Sequence, residues 1–419
     1  MQTKRVFWQF PWGYKESFAI ATGLIMIGFM LEFFSSKHGL QMPPYPLNLF
    51  VLLVFIGYII GTYIFLRKNP IVKWLSSIPA AISSVSAYTI LVLLMGFIPQ
   101  GNLSGWGTSF GLTYLQKSMP FAICTVFVLT SLGYTLLKRL SHGFSLRNIA
   151  FYMNHLGLFI ILTTASLGTG DMLRLRMPVH IGQSTNIAQY DTHHMAKLDF
   201  EIGLKNFTVE QYPPELLLFD RKTGYPVLEK GAKHPFIKTS KQGTIKEYSF
   251  SILEYIEYAV PAQNSYIESD RYGTTQAALL QITGKDTIVE GWISNGNFMY
   301  PPVYLHVNDQ YVFGMSKPKV QKYASEINVS ENAEFVVESQ TIEVNKPFKY
   351  KSWKIYQYSY DSELGRWSQQ SVFELIRDPW LPVVYTGIFM MLLGSMYLLW
   401  VGRSLQINSK ESNNNLNKE

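Results

Sequence analysis

The stretch NIAFYMNHLGLFIILTTASLG, Asn148–Gly168, decides how this chain is read. It is an apolar run close to the ~20 residues that an α-helix needs to cross a ~30 Å hydrocarbon core. His155 lies well inside it and is its only His, Lys, Arg, Asp or Glu. Five more stretches share the apolar pattern: Ser17–Phe34, Leu49–Leu66, Leu75–Ile98, Met119–Leu137 and Leu381–Val401. Leu75–Ile98 is the most dilute, with Ser76, Ser77, Pro79, Ser83, Ser84 and Ser86 in its first half. Small and hydroxyl-bearing residues let helices approach closely, so this span is expected to pack on another.

Charges between the runs give an orientation. Lys4, Arg5 and Lys15 precede the first run, Arg67, Lys68 and Lys73 follow the second, and Lys138, Arg139 and Arg147 follow the fourth. Ser35–Asn48 holds only Lys37, and Pro99–Ser118 only Lys117. The excess of Lys and Arg in cytoplasmic loops then places the N-terminus, the second loop and the fourth loop inside. The long segment 169–380 falls outside. MQTKRVFWQFPWGYKES reads as the cytoplasmic lead-in to a retained helix rather than a cleaved signal, because the apolar run behind it is too long.

The outer segment reads as β. KLDFEIGLKNFTVEQY, EYSFSILEYIEY and AALLQITG alternate apolar and polar residues, and RKTG and SNGN mark turns between such runs. FKYKSWKIYQYSYD adds aromatic residues suited to a pleated surface. About eight to ten short strands are expected, in a sandwich or open barrel. The fold class is therefore a polytopic α-helical membrane protein of about six spans, with a large β-rich extracytoplasmic domain between spans five and six. Its parts are a five-span membrane region (1–168), the β domain (169–380), a final transmembrane helix (381–401) and a polar, Asn-rich tail (402–419) expected to be disordered in the cytoplasm.

Composition removes several function classes. The chain has 419 residues, 47% hydrophobic, with a formal charge of +7. The basic residues cluster beside apolar runs, as topology requires, and no basic and aromatic run suits a nucleic-acid backbone. The single cysteine, Cys124, excludes an internal disulfide, a multi-thiolate zinc site and a Cys-x-x-Cys-His motif, and reads as a buried, inert thiol. No Gly-x-Ser-x-Gly, P-loop or dinucleotide fingerprint stands in a suitable context.

His155 has two readings. An ionisable group at that depth, ~10 Å in from Asn148, normally faces the bundle interior and is a functional candidate. A neutral imidazole ligates iron, and haem asks only for axial ligands because its porphyrin supplies four nitrogens. The other reading is helix packing, with the ring bonded to Asn154, Tyr152 or a hydroxyl on another span. Elsewhere the structural reading leads. Glu32 is expected to be solvated at the outer interface. His193 and His194 are adjacent, so in a strand they point to opposite faces. His234 and His306 read as fold or surface residues. His180 follows span five closely and could meet haem, although an interfacial structural role is the stronger reading.

Two segments carry a family resemblance. NHLGLFIILTTASLGTGDMLRLRMPVHIGQ joins the His-bearing span to the outer domain, and VNKPFKYKSWKIYQYSYD followed by DPWLPVVYTGIFMMLLG joins a β motif to the last span. With KLDFEIGLKNFTVEQYP they resemble the ResB (CcsB) family, the membrane subunit of System II cytochrome c maturation. The first four spans match less distinctively, and many members have four spans in all. The resemblance implies residence in the bacterial cytoplasmic membrane and a CcsA/ResC-like membrane partner. It implies that the pair moves b-type haem outward and joins it to the Cys-x-x-Cys-His of an unfolded apocytochrome c, by adding thiols across the haem vinyl groups. Haem is then handled, not attached to this chain. By local match the family's haem-ligating histidine is His155, its iron the only metal implied. The partner's tryptophan-rich motif is absent here: SGWGTSFGLTYLQ holds Trp106, read as an interfacial anchor. The chain is thus expected to be one part of a holocytochrome c synthase and not catalytic alone. The alternative is a receptor or scaffold whose outer β domain binds a ligand and never touches haem.

Overall fold

Tyr14–Phe34 (α1) starts where Glu16 reaches back to accept from the Gly13 N–H at 2.8 Å, satisfying one free donor of the first turn. Leu47–Leu66 (α2) follows, then the short Pro70–Leu75 (α3), whose start is capped by Asn69 accepting from Ile71 N. Ile78–Phe97 (α4), Trp106–Ser109 (α5), Met119–Leu140 (α6) and Ile149–Leu167 (α7) complete the N-terminal set. Pro70, Pro79 and Pro120 sit in first turns, where a missing N–H costs nothing. The last helix, Leu381–Leu416 (α8), closes the chain. The computed structural model describes residues 8–35, 39–101, 105–143, 148–190, 194–227, 234–285, 287–331 and 335–416, with residues 106, 335–337 and 401–416 as backbone only.

Six helices among the described residues are long and apolar enough to cross a membrane, as the sequence reading expects. Their outward faces carry Phe65, Phe97, Leu399 and Trp400, each more than three-quarters exposed. Apolar surface on that scale is strongly disfavoured in water, at about 25 cal/mol per Å², and is accommodated by lipid. α6 is the hub. Phe121, Cys124 and Phe127 are buried against α1 and α4, and Gly133 admits Ile59 of α2. Ser83 and Ser84 of the serine-rich span are buried, in keeping with a packed face. Cys124 is a free, buried thiol.

One expectation is corrected here. Glu32 is not solvated: it is fully buried, accepting from the Tyr114 hydroxyl at 3.0 Å and the Met119 N–H at 2.7 Å. It caps the positive end of α6. α8 extends beyond the apolar run expected to span, to Leu416. No proline follows Pro382 to stop it. Lys4, Arg5, Lys37, Arg147, His193 and the Trp106 side chain lie outside the described residues.

The chain divides into two compact units, Met1–Met172 with Asp378–Glu419, and Leu173–Arg377. The second is β-rich. Its strands are β1 (Leu173–His180), β2 (Ser184–Gln189), β3 (Met195–Gln211), β4 (Leu216–Asp220), β5 (Gln242–Ile245), β6 (Tyr248–Ala262), β7 (Ser265–Glu268), β8 (Thr275–Thr283), β9 (Ile288–Ser294), β10 (Leu305–His306), β11 (Tyr311–Met315), β12 (Val320–Glu331), β13 (Phe335–Glu343), β14 (Phe348–Tyr350), β15 (Trp353–Tyr360) and β16 (Gln370–Arg377). That is more strands than the sequence suggests, because its longest alternating runs obscure short pairing segments such as β7, β10 and β14.

An eight-stranded antiparallel sheet runs β13-β12-β3-β2-β1-β16-β15-β14. It curls until it nearly closes: Lys351, in the turn after β14, pairs with Glu331 of β12 and Asp199 of β3. Alternation puts Leu198, Phe200, Ile202 and Leu204 of β3 inside with Met177, Phe373 and Ile355. Three buried polar groups, Ser325, Gln357 and Ser371, satisfy one another across this interior. A second lobe packs the three-stranded β10-β11-β4 sheet against the β5-β6-β8-β9 sheet through Leu218, Phe250, Leu280, Ile282, Ile293 and Phe313.

Candidate functional site

α7 places His155 by local geometry. Its Nδ1 lies 2.9 Å from the Phe151 carbonyl one turn back. A carbonyl only accepts, so Nδ1 carries the hydrogen and Nε2 is left as the basic nitrogen. Among the described residues nothing hydrogen-bonds Nε2. The Phe151 ring stacks on the imidazole, centroids 3.8 Å apart and planes at 28°, and Arg139 of α6 lies over Phe151 at 5.4 Å. The ring is half-buried. A tautomer held through Nδ1 with Nε2 open is the arrangement metal-binding imidazoles use.

The packing reading of His155 named Asn154, Tyr152 or a neighbouring hydroxyl as its partner. Among the described residues none of them bonds the ring, whose one hydrogen bond is to Phe151 O. Asn154 accepts from Ser395 of α8 at 3.0 Å, and the Tyr152 hydroxyl points to the Arg139 carbonyl at 3.4 Å. α7 and α8 meet through glycines: a Cβ on Gly157 would stand 2.7 Å from the Gly387 carbonyl, and one on Gly387 2.8 Å from the Gly157 carbonyl. Only hydrogen fits at that crossing. His155, two residues before Gly157 and so about 200° round the helix from it, lies off this seam.

A polar node that sequence reasoning missed ties the other end of α7. The Asp171 carboxylate accepts from Tyr45 N at 2.7 Å, Asn48 Nδ2 at 2.7 Å and Trp380 Nε1 at 2.6 Å. One side chain thereby joins the start of α2, the end of α7 and the entry to α8. An acid just past an apolar run, in GTGD, and the DPW before the last run were its only signals.

The remaining histidines do not assemble a site. His180 ends β1, exposed, with Nε2 3.3 Å from Gln370 Nε2 on the paired strand β16. His306 is exposed on β10 and His142 bonds the Lys138 carbonyl. No group of three or more His, Cys, Asp or Glu able to hold a metal ion occurs among the described residues.

In the β unit, two clusters join one charged side chain to two of opposite sign. Glu343 bridges Lys322 and Lys346 at 2.6 and 2.7 Å, and hydrogen bonds from the two ammonium groups hold its carboxyl at about 2. Lys351, bonded to Glu331 and Asp199, is raised above its usual range by those carboxylates. A third feature joins the lobes. Arg366, in the 3-10 turn Gly365–Trp367, donates to the Glu257 and Thr274 carbonyls at 2.9 and 3.2 Å and lies over the Tyr258 ring at 4.5 Å. Burial pulls its guanidinium below its ordinary value. Trp367 Nε1 also donates to Thr274 O, at 3.0 Å. The pin therefore holds the turn between β15 and β16 against β6 and the approach to β8.

Residues 273–371 match the ResB-like family. The matched ResB-like segment runs from just before β8 to the start of β16. It takes in Thr274 and Arg366 of the pin but not Glu257 or Tyr258, and lies wholly within the β unit. The match agrees with the resemblance read from KSWKIYQYSYD. No curated protein matches the chain.

Proposed function

We propose that this ResB-like chain is the subunit of a cytochrome c maturation complex that, with a CcsA/ResC-like partner, carries haem across the bacterial cytoplasmic membrane and supports its attachment to apocytochrome c. The observation that carries the reading is the His155 imidazole, held through Nδ1 by the Phe151 carbonyl with Nε2 open on a candidate membrane span. Haem is the cargo; its iron takes axial nitrogen ligands and its vinyl groups take the apocytochrome thiols. On this reading His155 Nε2 offers one ligand, and the second comes from the partner's span. Phe151 limits the swing of the ring. The Gly157–Gly387 seam and the Asp171 node keep α7 at fixed depth, so the nitrogen is presented without reorganisation. With one buried cysteine the chain supplies no thiol for the covalent step. It is therefore a holding and presenting subunit. The excess of Lys and Arg in alternate loops supports a reading with both termini in the cytoplasm and the β unit on the outer face, where apocytochromes are met.

The test is the absorption spectrum of the chain co-purified with its membrane partner. The complex should show a Soret band. His155→Ala should lose most of that band and of cytochrome maturation, and added imidazole should restore both in part. A mutant complex with undiminished haem would overturn the assignment. A complex that lacks haem throughout would favour the receptor or scaffold.

A further inference from the structure

Strand β6 is covered unevenly along one edge. On one side it pairs with β8. On the other, β5 pairs with Tyr248–Ser251, and the Ile252 N–H reaches the Lys241 carbonyl at 2.8 Å. Further along the same side β7 pairs with Ala259–Ala262, and Ser269 N donates to Tyr258 O at 2.9 Å. Ala259 pairs with Glu268 of β7 and with Thr275 of β8, which places these strands on opposite sides of β6. Between β5 and β7, residues 253–257 have no strand beside them among the described residues. The gap forms an open cleft of about 550 Å³. At ~3.3 Å per residue a five-residue gap is roughly 17 Å long, the reach of one short strand.

An uncovered edge is a template for another chain, because its outward amides and carbonyls lack ladder partners. This one has a selective rim. Glu254, Glu257 and Glu268 line it, with Ile256 and Ile267 between them and Lys238 as its one cation. The Lys238 ammonium sits on the Glu257 carboxylate at 2.7 Å, so the rim already binds one cation of its own chain. Three carboxylates against one ammonium leave it acidic. The Arg366 pin holds the floor from behind through Glu257 O.

We infer that this notch takes a short, extended, basic peptide segment as an added strand of the β5-β6-β8-β9 sheet, with Lys or Arg side chains on the acidic rim. The inference rests on the proposed function only for the identity of the polypeptide, an unfolded apocytochrome; the recognition itself is by backbone and charge. An extended unfolded chain is the substrate form that can pair in this way before its haem is joined.

The experiment uses the full chain, co-purified with its membrane partner, in nanodiscs, and fluorescein-labelled decapeptides read by anisotropy. One peptide has a central Val-Lys-Val-Lys-Val, a second carries Glu for Lys, and a third is the basic peptide with alternate central amides methylated. The basic peptide should bind saturably and the acidic one should not. Backbone methylation should abolish binding, since it removes the ladder donors. Glu254→Lys with Glu268→Lys, both at exposed side chains, should weaken the basic peptide by roughly tenfold or more and admit the acidic one. Equal affinity for the methylated peptide, or an unchanged double variant, would overturn the notch. The methylated peptide needs no mutant, so a misfolded variant does not blunt the test. The His155-dependent Soret band is read on the same preparations. Loss of peptide preference with that band intact rejects the notch alone, and peptide binding without the band rejects the haem reading alone.

Discussion

His155 and Glu32 are both ionisable residues set into apolar helices, and their surroundings separate them. Glu32 spends both oxygens on the Tyr114 hydroxyl and the start of α6, so its role is structural. His155 spends one nitrogen on its own helix and keeps the other. Linear position marks both as unusual but does not say what lies across from them. Glu343 shows a further property of single residues, a pH dependence with a definite sign. Its carboxyl is held at about 2 in the fold, below the ordinary carboxylate value of about 4.3. A depressed pKa contributes stability that is present above the unfolded value and lost as pH falls through the folded one. Between about pH 4.5 and pH 2 the β unit should therefore lose stability, and Glu343→Gln should flatten that loss while lowering stability at pH 7. Urea denaturation of the chain across that range, followed by tryptophan fluorescence, checks it. An unchanged acid slope in the variant would remove Glu343 from the account.

Among the elements, α7 and α8 depend on their ends as much as on their faces. The glycine seam sets their separation and Asp171 sets their register with α2. Asp171→Ala leaves the Tyr45 amide, the Asn48 amide and the Trp380 indole without their shared acceptor. Unmet buried donors cost about 1–3 kcal/mol each, and partial access to water reduces the sum, so a loss of roughly 2–4 kcal/mol is expected. Thermal unfolding in detergent should show it as a lower midpoint. The helices themselves were legible from apolar length, because a bilayer imposes one requirement on every span. The node was not, since its members lie at positions 45, 48, 171 and 380 and no periodicity links them. Strand positions in the β unit were legible where alternation was long, as in β3 and β6. Short strands without a buried face of their own were not.

Across the β unit, Arg366 and Trp367 couple the two lobes. Arg366→Met keeps much of the packing volume but leaves the Glu257 carbonyl without its charged donor. A cost of about 1–3 kcal/mol is expected, concentrated at the junction. Hydrogen exchange should then show β6, β7 and β8 losing protection ahead of the eight-stranded sheet. Uniform loss throughout Leu173–Arg377 would mean that the lobes unfold as one body regardless of the pin. The open β6 edge faces the same strand from the other side, so a shift in that strand should also register in peptide affinity.

By itself the sequence determined the membrane class, the number of apolar helices, the β character of the long segment and the one histidine worth testing. Each follows from a local rule: hydrophobic length for spans, period-two alternation for strands, and the cost of an ionisable group within an apolar run. Only the tertiary structure decided that Glu32 is buried, that Asp171 joins three helices, and that β6 is left uncovered between β5 and β7. Those outcomes depend on which groups meet across hundreds of residues, and a hydrogen bond or an open edge exists only once both sides have been brought to the same place.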